Sequence, residues 1–224
     1  MNIKLFFEAI LKFSLGVILV GTLIFIPANT LNYWNGWLLM GILFIPMFIA
    51  GIIMMIKAPN LLRSRLDAKE KEIEQKKVVA LSGLMFLAGF IVAGLNYRFN
   101  WIQIPNIVVI IASIIFLLSY IMYAEVLREN AFLSRTIGVQ KEQKLIDTGL
   151  YGIVRHPMYL ATIFLFLSIP LILGSLISFI IFLVYPFIII KRLNNEEKVL
   201  EKDLKGYKEY IRKVKYKLIP FIWW

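Results

Sequence analysis

The sequence predicts an all-α fold: a polytopic membrane helix bundle of about six spans, closing in a C-terminal helical hairpin. Three observations predict it. Of the 224 residues, 60% are hydrophobic and only 17% charged, whereas soluble domains are about half apolar and about a quarter charged. The mean hydropathy is +0.77, and the apolar residues fall in blocks near the ~20 residues that a spanning helix needs. Basic residues gather in the segments on one side of those blocks.

The first block, Ala9 to Pro27, is broken only by Lys12. It exceeds the apolar region of a signal peptide and leads through Ala28-Asn29-Thr30 into another span, so it reads as a retained helix. The second span is Gly36 to Ile56. Tyr33, Trp34 and Trp37 at its start fit an interfacial aromatic belt. Lys57 to Lys77 is polar and mixed in charge. Leu61, Leu62 and Leu66 suit an amphipathic helix on the membrane surface, and a solvated charged loop fits the same pattern. The third span is Val78 to Leu95 and the fourth Pro105 to Leu127. Glu125, at the end of the fourth, is expected to pair with Arg128. The fifth span, Pro157 to Leu173, and the sixth, Leu176 to Ile190, are short and flank a Gly174-Ser175 break. Pro170 and Pro186 each remove a backbone donor and are expected to bend them. Lys191 to Trp224 is polar and basic. The whole reads as one membrane domain, with N-terminal spans over 1–127 and a hairpin with a polar tail over 128–224.

Six spans place both termini on one side. That side carries 24 of the 25 lysines and arginines, and Arg98 alone lies on the other. The positive-inside rule therefore puts both termini in the cytoplasm of a multi-pass cell-membrane protein. The net charge of +11 then points to the anionic lipid bilayer as partner rather than nucleic acid. The absence of cysteine excludes disulfides and thiolate chemistry. One histidine, outside any metal-binding pattern, argues against a metal site.

That histidine lies in Gly149 to Tyr159, read Gly-Leu-Tyr-Gly-Ile-Val-Arg-His-Pro-Met-Tyr. A cation, an imidazole, a helix-starting proline and two tyrosines stand at the mouth of a span, where polar groups are costly and mark function. Pro157 lies 17 residues before Gly174, and Arg192 lies 17 after Ser175. Two antiparallel helices of equal length bring these ends together, so Arg155, His156 and Tyr159 should face Arg192, Asn195, Glu196 and Glu197. Arg192 and Glu196, four apart, share a helical face. Such a cluster suits a small charged molecule. The unpaired donors after Pro157 favour an anion, Glu196 and Glu197 an ammonium, and Tyr151, Tyr159 and Tyr207 a base or a cation. The alternative is purely structural, with Arg155 and His156 capping a helix and pairing with the two glutamates.

Several separated motifs occur in a characteristic order: Gln143-Lys144-Leu145-Ile146-Asp147-Thr148-Gly149-Leu150-Tyr151, Arg155-His156-Pro157-Met158-Tyr159, Arg192 with Glu196-Glu197, Gly206-Tyr207, Tyr210 and Leu218-Ile219-Pro220. Over roughly residues 125–222 this resembles the isoprenylcysteine carboxyl methyltransferase family, which is grouped with the phospholipid N-methyltransferases. Ala58-Pro59-Asn60-Leu61-Leu62 with Arg65 is similar to its bacterial members. The resemblance implies a membrane-embedded methyltransferase using S-adenosylmethionine. It implies cofactor contacts from Gln143, Lys144, Leu145, Ile146, Tyr151, His156, Pro157, Met158, Tyr159 and Glu196, with Arg192 at the reaction centre. Leu150 stands where the family commonly has proline, Gln143 where the eukaryotic prenylcysteine enzymes have histidine, and the stretch from Glu197 to Tyr207 is one residue shorter. These departures set the chain apart from the prenylcysteine enzymes.

The expected acceptor is a lipid or a prenylated, amphipathic molecule, methylated on a carboxylate oxygen or an amine. Methyl transfer from a sulfonium needs alignment and a dry pocket. For a carboxylate acceptor, Arg192 orients it; for an amine or hydroxyl, Glu197 is the expected base. The rival is an NADPH-dependent sterol- or steroid-type membrane reductase, whose similar motif commonly reads Arg-His-Pro-Asn-Tyr. Met158 and the Glu196-Glu197 pair favour the methyltransferase. A transporter is disfavoured, because the spans carry no charge near mid-membrane.

Overall fold

In a computed structural model, which describes residues 3–67, 73–134, 136–140 and 142–222, the described residues form helices and no strands. The helices are α1 (Ile3–Ala28), α2 (Trp34–Lys57), α3 (Pro59–Leu66), α4 (Ile73–Phe99), α5 (Asn106–Glu129), α6 (Pro157–Ile172), α7 (Leu176–Phe182), α8 (Tyr185–Asp203) and α9 (Tyr207–Lys213), with a 3-10 turn at Gly149–Gly152. Five are long and apolar enough to cross a membrane, counting α7 and α8 as one segment. The shorter α6 is also apolar. The protein is a polytopic membrane helix bundle.

The sixth expected helix is two. α7 ends at Phe182, and α8 begins at Tyr185 with Pro186 in its first turn. Pro186 has no N–H to give the carbonyl of Phe182, so the helix stops and restarts rather than bending. Pro170 sits inside α6 without ending it. α8 then runs past the apolar layer to Asp203, carrying Arg192, Glu196 and Glu197 on regular helix.

The first polar segment is partly helical. Leu61 and Leu62 of α3 are buried against the protein. Arg65 donates to the Ser134 carbonyl (3.1 Å) and to the Tyr123 hydroxyl, and Lys12 donates to the Leu66 carbonyl (2.8 Å). The part of the expected surface helix over 68–72 lies outside the described residues. Glu125 and Arg128 form the expected pair, bidentate at 2.8 and 2.5 Å.

At one end of the bundle the break between α6 and α7 is held by α2. Gly174 takes φ +72°, a left-handed conformation that glycine adopts without a steric cost. The Tyr33 hydroxyl donates to the Leu173 carbonyl, and the Asn35 amide donates to that of Ile172 (2.8 Å), satisfying acceptors that the end of a helix leaves open. Ser175 caps α7 by accepting from the Ser178 amide (3.2 Å), and the Ser178 hydroxyl donates to the Gly89 carbonyl (2.8 Å). Tyr97 stacks on Tyr33 at 4.1 Å. With this end fixed, the start of α6 and the polar half of α8 meet at the other.

Candidate active site

The pocket is built from the end of α5, the segment after it, the two arms of the hairpin and α9. Gly149 takes φ +55°, and a Cβ there would fall on the Glu129 carboxylate. That carboxylate accepts the Leu150 amide at 3.1 and 3.3 Å and ties the 3-10 turn to the end of α5. Tyr151 is thereby buried. Its hydroxyl accepts from the Asn130 amide (3.0 Å), and its carbonyl accepts from the Tyr210 hydroxyl (2.7 Å). Burial pushes the Tyr151 phenol up to about 12, with the Asn130 bond opposing it, so the ring stays neutral at physiological pH.

Arg155 and His156 are stitched to the C-terminal segment. Their backbone amides donate to the carbonyls of Tyr216 (2.9 Å) and Lys217 (3.0 Å). The buried Arg155 guanidinium donates to the carbonyls of Val214 and Lys215, both at 2.8 Å, and to Glu197 Oε1, also at 2.8 Å. His156 Nε2 lies 3.3 Å from the same oxygen, and Lys217 Nζ lies 2.9 Å from Glu197 Oε2. Glu197, the base expected for an amine or hydroxyl acceptor, sits in this cluster. Its carboxylate is buried and engaged by two cations and an imidazole. Of the purely structural alternative, the pairing of Arg155 and His156 with Glu197 is present, whereas no side chain caps α6 and Glu196 bonds to Tyr159 instead.

Glu196 points elsewhere. The Tyr159 hydroxyl donates to its carboxylate and accepts from Arg192 Nε at 3.1 Å. Arg192 Nη1 also donates to Gln75 Oε1 of α4, at 3.1 Å. The His156 and Tyr159 rings are stacked with centroids 5.8 Å apart and planes 28° from parallel.

His156, Tyr159, Arg192 and Glu196 border a solvent-open cavity. Gln143, Lys144, Leu145, Ile146, Tyr151, His156, Met158, Tyr159, Arg192 and Glu196 all line it. Pro157 and Glu197 do not: Pro157 is buried at the first position of α6 and Glu197 faces the Arg155 side. Gln143 is held by its side-chain oxygen, which accepts the Gln140 amide (2.9 Å). Leu145 packs on Leu204, Tyr207 and Tyr210.

The site residues singled out from the sequence omitted Phe132, Ser134, Leu200, Leu204 and Tyr210, which also line the cavity, as does Tyr207, expected to offer a ring. Leu200 and Leu204 continue the four-residue step from Arg192 through Glu196, so their signal was present. The segment after α5 has no periodicity from which its wall residues could be read. Tyr207 is buried, and its hydroxyl has no hydrogen-bond partner among the described residues. Burial, with the nearby Glu197 and Glu196 charges, pushes that phenol well above its ordinary value.

Fold and pocket together define a polytopic membrane protein with a polar cavity where the two arms of its hairpin meet. Residues 106–206 match the family model described as phospholipid methyltransferase, a little under half of the chain. The match includes α5 to α8 and hence most of the cavity wall. The chain is also 30% identical over 91 residues to the Delta(14)-sterol reductase TM7SF2 of Mus musculus, a stretch that is 39% of this chain and 22% of that protein. The shared stretch thus spans about a fifth of that relative's length.

Proposed function

We propose that the protein is a membrane-embedded, S-adenosylmethionine-dependent methyltransferase acting on a lipid or prenylated amphipathic acceptor, with its pocket on the cytoplasmic face. The observation that carries this reading is the triad Glu196–Tyr159–Arg192 on the cavity wall, inside the stretch that matches the phospholipid methyltransferase model. It sets a carboxylate and a guanidinium on one phenol hydroxyl.

The wall suits the cofactor. Glu196 can hold an ammonium, while His156 and Lys144 can take a carboxylate. Tyr151 and Tyr210 offer rings to an adenine or a sulfonium. The orphaned Tyr207 hydroxyl gains a partner from any polar group placed beside it. Bound S-adenosylmethionine supplies an electrophilic methyl group on a positively charged sulfur.

The protein's own residues then align and shelter. Tyr159 fixes the Glu196 carboxylate and the Arg192 guanidinium relative to each other. Arg192 orients an anionic oxygen of the acceptor, and Leu145, Leu200 and Leu204 give the wall an apolar face. Glu197 holds the Arg155-His156 strip to the C-terminal segment instead of moving a proton. A carboxylate acceptor, which requires no base, fits this arrangement directly.

The stretch of identity with a sterol reductase keeps a second reading, an NADPH-dependent membrane reductase. The two part on the label that reaches lipid. Purified protein given methyl-labelled S-adenosylmethionine and a bacterial lipid extract is expected to put label into the lipid fraction. Reduction of a sterol by NADPH with no methyl transfer would establish the rival.

A further inference from the structure

The cavity wall that follows α5 has no regular structure. Between Asn130 and Thr148 the described residues form neither helix nor strand, yet Phe132, Leu133, Ser134, Thr136, Ile137 and Gly138 all line the cavity. Such a stretch has no ladder to satisfy its carbonyls, so side chains must supply donors. The Phe132 carbonyl accepts from the Gln140 amide, within the segment itself. The Ser134 carbonyl accepts from outside it, from Arg65 Nη1 of α3 at 3.1 Å. Arg65 Nη2 donates to the Tyr123 hydroxyl of α5, and the guanidinium carbon lies 5.6 Å from the centre of that ring. One side chain thus ties the wall to the helix from which it departs. α3 is itself fixed, with Leu61 and Leu62 buried and the Leu66 carbonyl accepting from Lys12 at 2.8 Å. Arg65 does not line the cavity and lies outside the stretch 106–206.

We propose that Arg65 is a positioning residue for the cofactor. Through Ser134 and Tyr123 it fixes the wall 132–138 against α5, and cofactor affinity depends on it although it touches no ligand. A planar guanidinium presents its donors in a rigid fork and serves two acceptors at once, whereas an ammonium is a point donor. With the fork in place the wall is preorganised, so that binding carries no cost of ordering it. Without it the Ser134 carbonyl turns to water, and the lining residues lose their tie to α5. The bond from Gln140 to Phe132 does not replace that tie, because both of its ends lie within the segment and move with it. The proposal rests on the reading of the cavity as the cofactor site.

The test uses the full chain in a nonionic detergent, titrated with S-adenosylmethionine and with NADPH, while hydrogen exchange is followed in peptides covering 130–138 and 157–172. Arg65→Met is expected to lose roughly tenfold in S-adenosylmethionine affinity, with faster exchange at 130–138 and unchanged exchange at 157–172. Arg65→Lys keeps the cation and one of the two bonds, and should lose about threefold. Arg63→Met, exposed on the same helix, should match the wild type. A merely structural role would lower the unfolding midpoint and raise exchange throughout while leaving the affinity of the folded protein unchanged, and that result overturns the proposal. So does wild-type affinity in both Arg65 variants, or unchanged exchange at 130–138. A wild type that binds NADPH instead, with the same dependence on Arg65, removes the methyltransferase reading and leaves the positioning role standing. Binding of neither cofactor overturns both.

Discussion

Tyr159 is the residue that joins Glu196 and Arg192 on the pocket wall. Its hydroxyl gives to Glu196 and takes from Arg192. Hydrogen bonds to charged groups contribute about 1.5–3 kcal/mol, so Tyr159→Phe should weaken S-adenosylmethionine binding by roughly 10–100-fold. The thermal midpoint should barely move, because the ring and its stacking on His156 remain. Titration calorimetry of the variant checks this, and wild-type affinity would remove the hydroxyl from the site. Glu197→Gln should behave in the opposite way. It strands Arg155 and Lys217 around a neutral amide, and breaking a buried ion pair costs about 3–5 kcal/mol, read as a lowered unfolding midpoint in detergent. A variant as stable as the wild type would show that the Arg155 strip is held without the Glu197 charge. The sequence could not separate the two glutamates by composition, yet helix geometry does. Neighbours on a helix point about 100° apart, so one faces the cavity and the other the buried arginine. The step of four from Arg192 selects Glu196.

At the scale of elements, the hairpin was legible because its ends are set by counting. Equal lengths on either side of Gly174-Ser175 bring Pro157 and Arg192 to one level, whatever the side chains between them. The interruption at Leu183-Val184 was harder to read. A proline in an apolar run signals a bend and a restart equally, and tertiary packing decides. Here α7 lies against α4, where Gly89 meets the Phe182 ring so closely that a Cβ would enter it. Gly89→Ala should therefore destabilise the protein by about 1–3 kcal/mol through overpacking. Adding Phe182→Leu should restore part of the loss, because the smaller side chain vacates the space. Thermal unfolding of both variants measures this; equal loss in the single and double variants would show that the two helices do not meet there. The turn at Gly149 was seen as part of a motif, but its cause, the Glu129 carboxylate from α5, is a long-range contact that no local pattern carries.

At the scale of the whole molecule, apolar blocks and charge placement made the membrane class and the number of spans readable. Residues 29–35, 97–101 and 174–175 gather at one end through Tyr33, Asn35 and Tyr97, while α3, Lys12 and Ser134 meet at the other. We place this second end, which holds the pocket, in the cytoplasm on the bias of lysine and arginine. The chain has no cysteine, so single introduced thiols report the orientation cleanly. In intact cells an impermeant maleimide should label Asn100→Cys and spare Glu142→Cys; the reverse pattern would invert the molecule. The α4 contribution through Gln75 was not legible, because the polar segment before it shows no spacing that points to Arg192. The most direct measurement of the central claim is ligand binding to the purified wild type and Glu196→Gln, titrated with S-adenosylmethionine and with NADPH. The account predicts that the wild type binds S-adenosylmethionine and not NADPH, and that Glu196→Gln keeps its unfolding midpoint while losing at least tenfold in affinity. Binding of NADPH alone, or S-adenosylmethionine affinity indifferent to Glu196, would contradict it.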